Sequence, residues 1–274
     1  MYLLFDIGGT KTRLGVSEDA NTVSDVSVVN TPSDFESAMK LYTEESAKII
    51  SGRNVEAAAV GIAGMLDKDK KTLVKSPNLS TWENKPLGKA LEQILGCAVS
   101  VENDAGLAGL GEVFFGAGRN YHIVTYITVG TGIGGTRIVD GKIDRRVYGF
   151  EPGHQILDVD GSITGDVADL EGLAAGSGIK RRYNMSPEEV KDGKIWEQVT
   201  KYLAYGLHNT ILHWSPEIVI VGGGLIESNV IPIDALNKHL GEITKMFPDV
   251  PRIVKSELGE TSGLYGALQV LRSR

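Results

Sequence analysis

Cysteine is nearly absent from this 274-residue chain, with Cys97 the single instance. One thiol excludes an intrachain disulfide and any multi-cysteine metal site. Basic excess is missing too: 28 Lys and Arg stand against 35 Asp and Glu, for a formal net charge of −7. Nucleic acids are held by a basic face, so that class of partner is not expected. An anionic ligand would have to be gripped by local N–H donors and a metal ion rather than by an overall field. No apolar run approaches the roughly 20 residues of a membrane span. Lys11 and Arg13 interrupt the apolar start, so no secretory leader is expected. These absences predict a soluble, cytoplasmic protein. Its length and its 42% hydrophobic content suffice for two domains, each with its own core.

What the chain has in excess is glycine, with 34 among its 274 residues. That is well above the usual share of about 7%. Two of its glycine clusters repeat one pattern. Asp6-Ile7-Gly8-Gly9-Thr10-Lys11-Thr12-Arg13 stands near the N-terminus, and Thr128-Val129-Gly130-Thr131-Gly132-Ile133-Gly134-Gly135 in mid-chain. Each reads as a strand, a glycine-threonine turn and a second strand, the mark of a tight hairpin. Glycines would let backbone N–H groups converge, and the hydroxyls of Thr10 and Thr131 add donors, which suits phosphate oxygens. Two such hairpins imply two related half-molecules facing each other across a nucleotide. Asp6, at a strand end beside the first turn, would repel an anion unless a divalent cation intervened; Mg²⁺ bound through water would fit. The second hairpin has Thr128 at that point, consistent with one metal.

Strands and helices alternate in both halves, which predicts the α/β class. Strands are expected over residues 2–6, 13–17, 21–30, 55–60, 98–101, 122–129 and 217–221. Helices are expected over 34–50, 87–95, 105–113, 196–214 and 264–271. Thr31-Pro32-Ser33 reads as the cap of the first helix and Gly96 as the stop of the second. The glycine-rich segment 114–120 is the expected crossing between domains and a plausible hinge. Two domains follow: residues 1–116 plus 261–274, with the first hairpin, and residues 117–260, with the second.

Glu102-Asn103-Asp104 lies at the end of one expected strand, where ligands gather in open α/β sheets. A carboxylate there can accept the proton of an attacking hydroxyl, which makes Asp104 the candidate base. Both Asn103 and Asp104 are also strong helix N-caps, so one can cap while the other faces a ligand. Glu151-Pro152-Gly153-His154 and Glu171 offer acceptors and an imidazole suited to vicinal hydroxyls. Gly222-Gly223-Gly224 follows a strand and would let an adenine or ribose approach the backbone, but it lacks the spacing of a full dinucleotide fingerprint. That argues against a nicotinamide-dependent oxidoreductase.

In this order the motifs resemble the ROK family of sugar kinases and sugar-responsive repressors. The two hairpins match its phosphate loops; Ser76-Pro77-Asn78-Leu79 with Trp82 matches its sugar-side loop, and Glu102-Asn103-Asp104-Ala105 its catalytic stretch. Glu151-Pro152-Gly153-His154 and Leu170-Glu171 match sugar-contacting motifs, while Gly222-Gly223-Gly224 and the region from Leu258 to Leu268 resemble adenosine-side segments. The resemblance implies a two-domain actin/hexokinase-like (ribonuclease H-like) fold with an interdomain cleft. It implies ATP-dependent phosphorylation of a hexose, glucose first, to the 6-phosphate, with Asp104 as base and Asn78, Asn103, Glu151, His154 and Glu171 on the sugar. Asp6, Gly8, Gly9, Thr10, Lys11, Thr131, Gly132, Gly222, Gly223 and Gly224 would serve ATP, Lys11 either neutralising phosphate or standing as a mere turn lysine. An N-acetylglucosamine or N-acetylmannosamine kinase is the close alternative, and a homodimer is expected from the resemblance alone. A non-catalytic sugar sensor is a further alternative; the related repressors carry a helix-turn-helix ahead of the first hairpin, whereas this sequence starts at the hairpin. One departure stands out. Relatives carry a cysteine cluster for structural zinc between the Glu-x-Gly-His and the later glutamate, and residues 155–170 contain none. The sequence therefore predicts no zinc, and a sugar loop ordered by other packing.

Overall fold

The computed structural model describes residues 1–273. Apolar residues at both parities build the first strand pair, β1 (Tyr2–Ile7) and β2 (Lys11–Ser17), antiparallel with Asp6 opposite Arg13. β3 (Ser24–Asn30) extends the edge beyond β2. Helix α1 (Phe35–Ile50) follows, and its cap is Asp34, whose carboxylate accepts the Ser37 N–H at 2.8 Å. The cap thus falls one residue beyond Thr31-Pro32-Ser33, because an extended residue with a short acceptor can reach the third helical N–H. β4 (Ala57–Ile62) runs parallel to β1 and extends two residues past the expected end at 60, since Gly61 and Ile62 continue the ladder opposite Asp6 and Ile7. A small hairpin of β5 (Met65–Leu66) and β6 (Leu73–Lys75) leads to α2 (Leu87–Leu95), which ends at Gly96 with φ +66°. β7 (Ala98–Asn103) pairs parallel with β4 and passes directly into α3 (Asp104–Phe115).

The second sheet begins with antiparallel β8 (Ile123–Val129) and β9 (Ile133–Val139), edged by β10 (Lys142–Ile143). A short ribbon of β11 (Ile156–Asp158) and β12 (Ala168–Asp169) precedes α4 (Leu170–Ala174), α5 (Gly176–Tyr183) and the long α6 (Gly193–Trp214). β13 (Ile218–Gly222) pairs parallel with β8; α7 (Gly224–Glu227), α8 (Ile233–Ile243) and β14 (Arg252–Lys255) complete the set. Finally α9 (Ser262–Arg272) packs on α3, β1 and β4. The sheets share one strand order, β3-β2-β1-β4-β7 and β10-β9-β8-β13-β14, so each half repeats the same plan.

Two compact units result. The first comprises Met1–Phe115, Arg145–Gly149 and the segment from Thr261 onward; the second comprises Gly116–Asp144 and Phe150–Glu260. In the first, Leu3, Phe5 and Ile7 face α1 and α2, where Phe5, Tyr42, Trp82 and Phe35 form a run of edge-on aromatic contacts. The opposite face is closed by α3 and α9 at backbone distance. A Cβ added at Gly266 would lie 1.7 Å from the Leu107 carbonyl oxygen, and one at Gly111 2.2 Å from that of Ser262. In the second unit, Ile127, Val129, Val219 and Val221 pack against Val199, Leu203, Leu207 and Ile211 of α6. Among the described residues no helix is long and apolar enough to cross a membrane.

Candidate active site

The first turn is held from below by hydroxyls. Buried Thr12 shares hydrogen bonds with Tyr42 (2.7 Å) and Thr31 (2.9 Å), and Thr31 in turn donates to the Gly8 carbonyl at 2.8 Å. The Gly8 N–H donates to the Lys11 carbonyl and the Thr31 N–H to that of Thr10. This leaves Thr10 and Lys11 exposed at the tip. Neither Gly8 nor Gly9 adopts a left-handed φ; the demand for glycine is one of space. A Cβ at Gly9 would lie 2.4 Å from Cβ of Asn78, so the expected conformational freedom of the turn gives way to close packing.

Asn78 is exposed, on a loop that Ser76 organises: the Ser76 hydroxyl donates to the Ala63 carbonyl at 2.9 Å and accepts the Leu79 N–H at 3.2 Å. Trp82, at the end of that loop, is wholly buried and donates to the Ser33 carbonyl, so it belongs to the core.

Asp6, Gly61 and Glu102 are register partners on β1, β4 and β7, and Asp104 begins α3 just after β7 ends. A Cβ at Gly61 would meet Leu107 Cδ1 at 3.1 Å and stand in ordinary contact with Cα of Asp104 (3.4 Å) and Asp6 Oδ1 (3.7 Å), so both acidic residues border this position. Gly263 on α9 makes room for Asp6, since a Cβ there would meet its Oδ2 at 2.9 Å. Arg13 Nη1 lies 4.0 Å from Asp6 Oδ2. Burial pushes the Asp104 carboxyl above the usual carboxylate range, against the lowering effect of the Ala105 N–H that it accepts at 2.8 Å. The capping question resolves onto Asn103: its Oδ1 accepts the Gly106 N–H at 3.0 Å, and its amide donates to the Gly64 carbonyl at 3.1 Å. Behind them, buried Glu102 accepts the Asn103 N–H and pairs with Lys70 (2.5 Å) and Arg146 (2.7 Å).

In the second unit the turn Gly130-Thr131-Gly132 is clasped by α5: the Gly176 and Ser177 N–H groups donate to the carbonyls of Gly130 and Thr131. Glu171 Oε2 accepts the Ile133 N–H at 2.8 Å, and a Cβ at Gly132 would collide with it at 2.5 Å. Glu171 is thus half-buried beneath the second turn, with one carboxylate oxygen spent on its backbone. Thr131 is exposed at the tip. Gly222 ends β13, Gly223 turns with φ +91° against Val129, and Gly224 starts α7, its N–H 3.8 Å from a Cβ built on Gly130.

Glu151 and His154 are exposed around the short turn Pro152–His154. His154 Nδ1 lies 2.8 Å from Asp169 Oδ2, which raises the imidazole pKa; Glu171 and Glu151 reinforce the effect and partial burial opposes it. Asp169 uses its other oxygen to cap α4, accepting the Gly172 N–H at 2.8 Å. No motif assigns a site role to Asp169, Thr12, Thr31, Tyr42 or the cations around Glu102. Asp169 alone carried a local signal, as an acidic residue directly ahead of a helix.

The family model described as "ROK family" matches residues 2–274. A glucokinase of Streptomyces coelicolor is 28% identical, the match covering 97% of this chain and 96% of the relative. An N-acetyl-D-glucosamine kinase of Vibrio cholerae is likewise 28% identical, over 97% of this chain and 98% of the relative. The solved ROK family glucokinase of Streptomyces griseus, in complex with glucose and AMPPNP, superposes with a TM-score of 0.85 at 27% identity, covering 99% of this chain and 100% of that one.

Proposed function

The chain belongs to the ROK family and has its actin/hexokinase-like α/β fold, and from that premise we propose that it is a sugar kinase that transfers the terminal phosphoryl group of ATP to a hexose hydroxyl. The observation that carries this reading is that Asp6 and Asp104 of the first unit both border Gly61. One carboxylate borders the first phosphate-type turn; the other sits at a strand end with its proton affinity raised by burial.

In this reading Asp104 accepts the proton of the attacking hydroxyl as the new O–P bond forms and the bond to the ADP oxygen breaks. Within the first unit Asn78 and Asn103 are read as sugar-hydroxyl ligands, and within the second unit Glu151, His154 and Glu171 are read so. Asn103 keeps one amide hydrogen for this, Glu171 its Oε1, and His154 its Nε2. Backbone N–H groups and hydroxyls at Gly8, Gly9, Thr10, Thr131 and Gly132 take phosphate oxygens, Lys11 adds charge at the first tip, and Gly222, Gly223 and Gly224 admit the adenosine.

Among the described residues no three Asp, Glu, His or Cys groups converge as a cage for an ion. A single anchor at Asp6 suits Mg²⁺ that arrives on ATP and keeps waters and phosphate oxygens as its other ligands. When bound, Mg²⁺ neutralises phosphate charge.

Glucose is the first substrate to test and N-acetylglucosamine the second, since relatives named for each are 28% identical to this chain. A coupled ADP-release assay over glucose, mannose, fructose, N-acetylglucosamine and N-acetylmannosamine is expected to give turnover with at least one. Absence of sugar-dependent ADP release with all five rejects the reading.

A further inference from the structure

Zinc held by the loop between His154 and Glu171 does not fit the donors present. Residues 155–170 contain no cysteine, and His154 Nδ1 is engaged by Asp169. A tetrahedral zinc site draws on four Cys, His or carboxylate ligands converging within about 2.3 Å of the metal. The loop is nevertheless folded around one buried carboxylate. Asp158 is 2% exposed. Its Oδ2 accepts the N–H groups of Ile163 (3.0 Å) and Thr164 (2.9 Å), and its Oδ1 receives the Ser162 hydroxyl at 3.4 Å. The Thr164 hydroxyl also lies 3.2 Å from Oδ2, and donates to the Asp166 carbonyl at 2.5 Å. Gly161 and Gly165, with φ of +71° and +89°, curl the chain back so that these donors converge.

The consequence reaches the sugar-facing residues through register. Asp158 pairs with Ala168 and Ile156 with Asp169 across the β11–β12 ribbon. Closing the loop on Asp158 therefore fixes where Asp169 stands. Asp169 then divides its oxygens between the α4 cap and His154, and Glu171 lies on the first turn of α4. An ionised carboxylate makes stronger hydrogen bonds than a neutral acceptor and offers several acceptor positions. It can cross-link a loop as a metal ion does.

We propose that the Asp158 carboxylate orders this loop without a metal and is thereby a positioning residue for His154 and Glu171; this rests on the sugar-binding reading of those two side chains. The test compares wild type with D158A and D158N. In D158A, amide exchange at Ile163 and Thr164 accelerates at least about tenfold, because the opening that exposes them becomes local and easy. The sugar KM rises about tenfold while kcat and the ATP KM stay within about threefold, the pattern of lost ground-state positioning. D158N, which keeps the shape and removes the charge, shows the same changes at smaller size and decides the matter should D158A not fold. Treating wild type with 1,10-phenanthroline changes neither its melting temperature nor its sugar KM. Stoichiometric zinc whose removal lowers the melting temperature overturns the proposal, as does unaltered exchange at Ile163 and Thr164 in both variants. The exchange measurement stands whether or not any sugar is phosphorylated, so it separates this proposal from the kinase reading.

Discussion

Asn78 fills the space that a side chain at Gly9 would need: a Cβ at position 9 would come within 2.4 Å of its Cβ and 2.9 Å of its Cγ. The phosphate-type turn and the loop that follows β6 are therefore shaped against each other. Because the obstruction is a Cβ, it cannot be relieved by a rotamer change. G9A is expected to destabilise by about 1–3 kcal/mol, the usual cost of overpacking. Adding N78G should recover much of that loss in thermal melts while leaving sugar affinity impaired. An additive double mutant would refute the contact.

Asp104 has two separable signatures. D104N should lower kcat by about 10²–10⁴-fold, the range for losing a general base, with sugar still binding in calorimetry. Burial raises the folded pKa of this carboxyl, so the folded state takes up its proton at a higher pH than the unfolded chain does. Ionised Asp104 is then a stability cost that grows as pH rises through that window. D104N should melt above wild type at neutral pH, the gap closing in acid. The acid limb of the kcat profile should lie above the ordinary Asp range of about 3.9.

Glu171 joins two tasks through one side chain, since Oε2 secures the Ile133 N–H under the second turn. E171A should raise KM for both sugar and ATP, by about tenfold each, because a backbone donor loses its acceptor and costs about 1–3 kcal/mol locally. E171Q still offers an acceptor and should restore the ATP KM while leaving the sugar KM high. Equal damage from both variants would count against the link to the turn.

His154 and Asp169 set a pH dependence of the same sense as that of Asp104, since each group holds its proton more tightly in the fold than in the unfolded chain. The imidazole pKa is raised in the fold, so its contribution is fully present below about 6.5 and fades as pH climbs through the raised value. The ring is 46% exposed, which keeps the effect below about 1 kcal/mol. The melting difference between wild type and H154Q should be larger at about pH 5.5 than at about pH 8.5, two test conditions on the order of 1–2 units either side of the ordinary value.

Features encoded within a few residues were readable in advance. Residues 87–95 form the second helix and Gly96 stops it, because apolar spacing and a terminal glycine are local signals. The glycine-threonine hairpins and the alternation of strands and helices led to the family and the fold for the same reason. Partnerships across long stretches were not readable. Thr12 meets Tyr42 and Thr31, and Asp6 meets Gly263, only once sheets and helices have stacked. The turn glycines were expected to serve backbone conformation; Gly9 and Gly132 instead make room for Asn78 and Glu171, neighbours that no local pattern announces. The donors that converge on Asp158, one of several aspartates in its loop, are revealed only by the way the loop curls.

The first unit draws its closing helix from beyond the second. Leu264, Ala267 and Leu268 of α9 are wholly buried, and the helix backbone sits against that of α3 with no side chain between them. During synthesis, β1 and β4 emerge long before the helix that covers their second face. The residues of the second unit, Gly116–Asp144 and Phe150–Glu260, come between. The half of the protein begun first is thus the half completed last, and the part of its apolar sheet face that α9 covers stays open to chaperones or to misassociation until all of the other half has been translated.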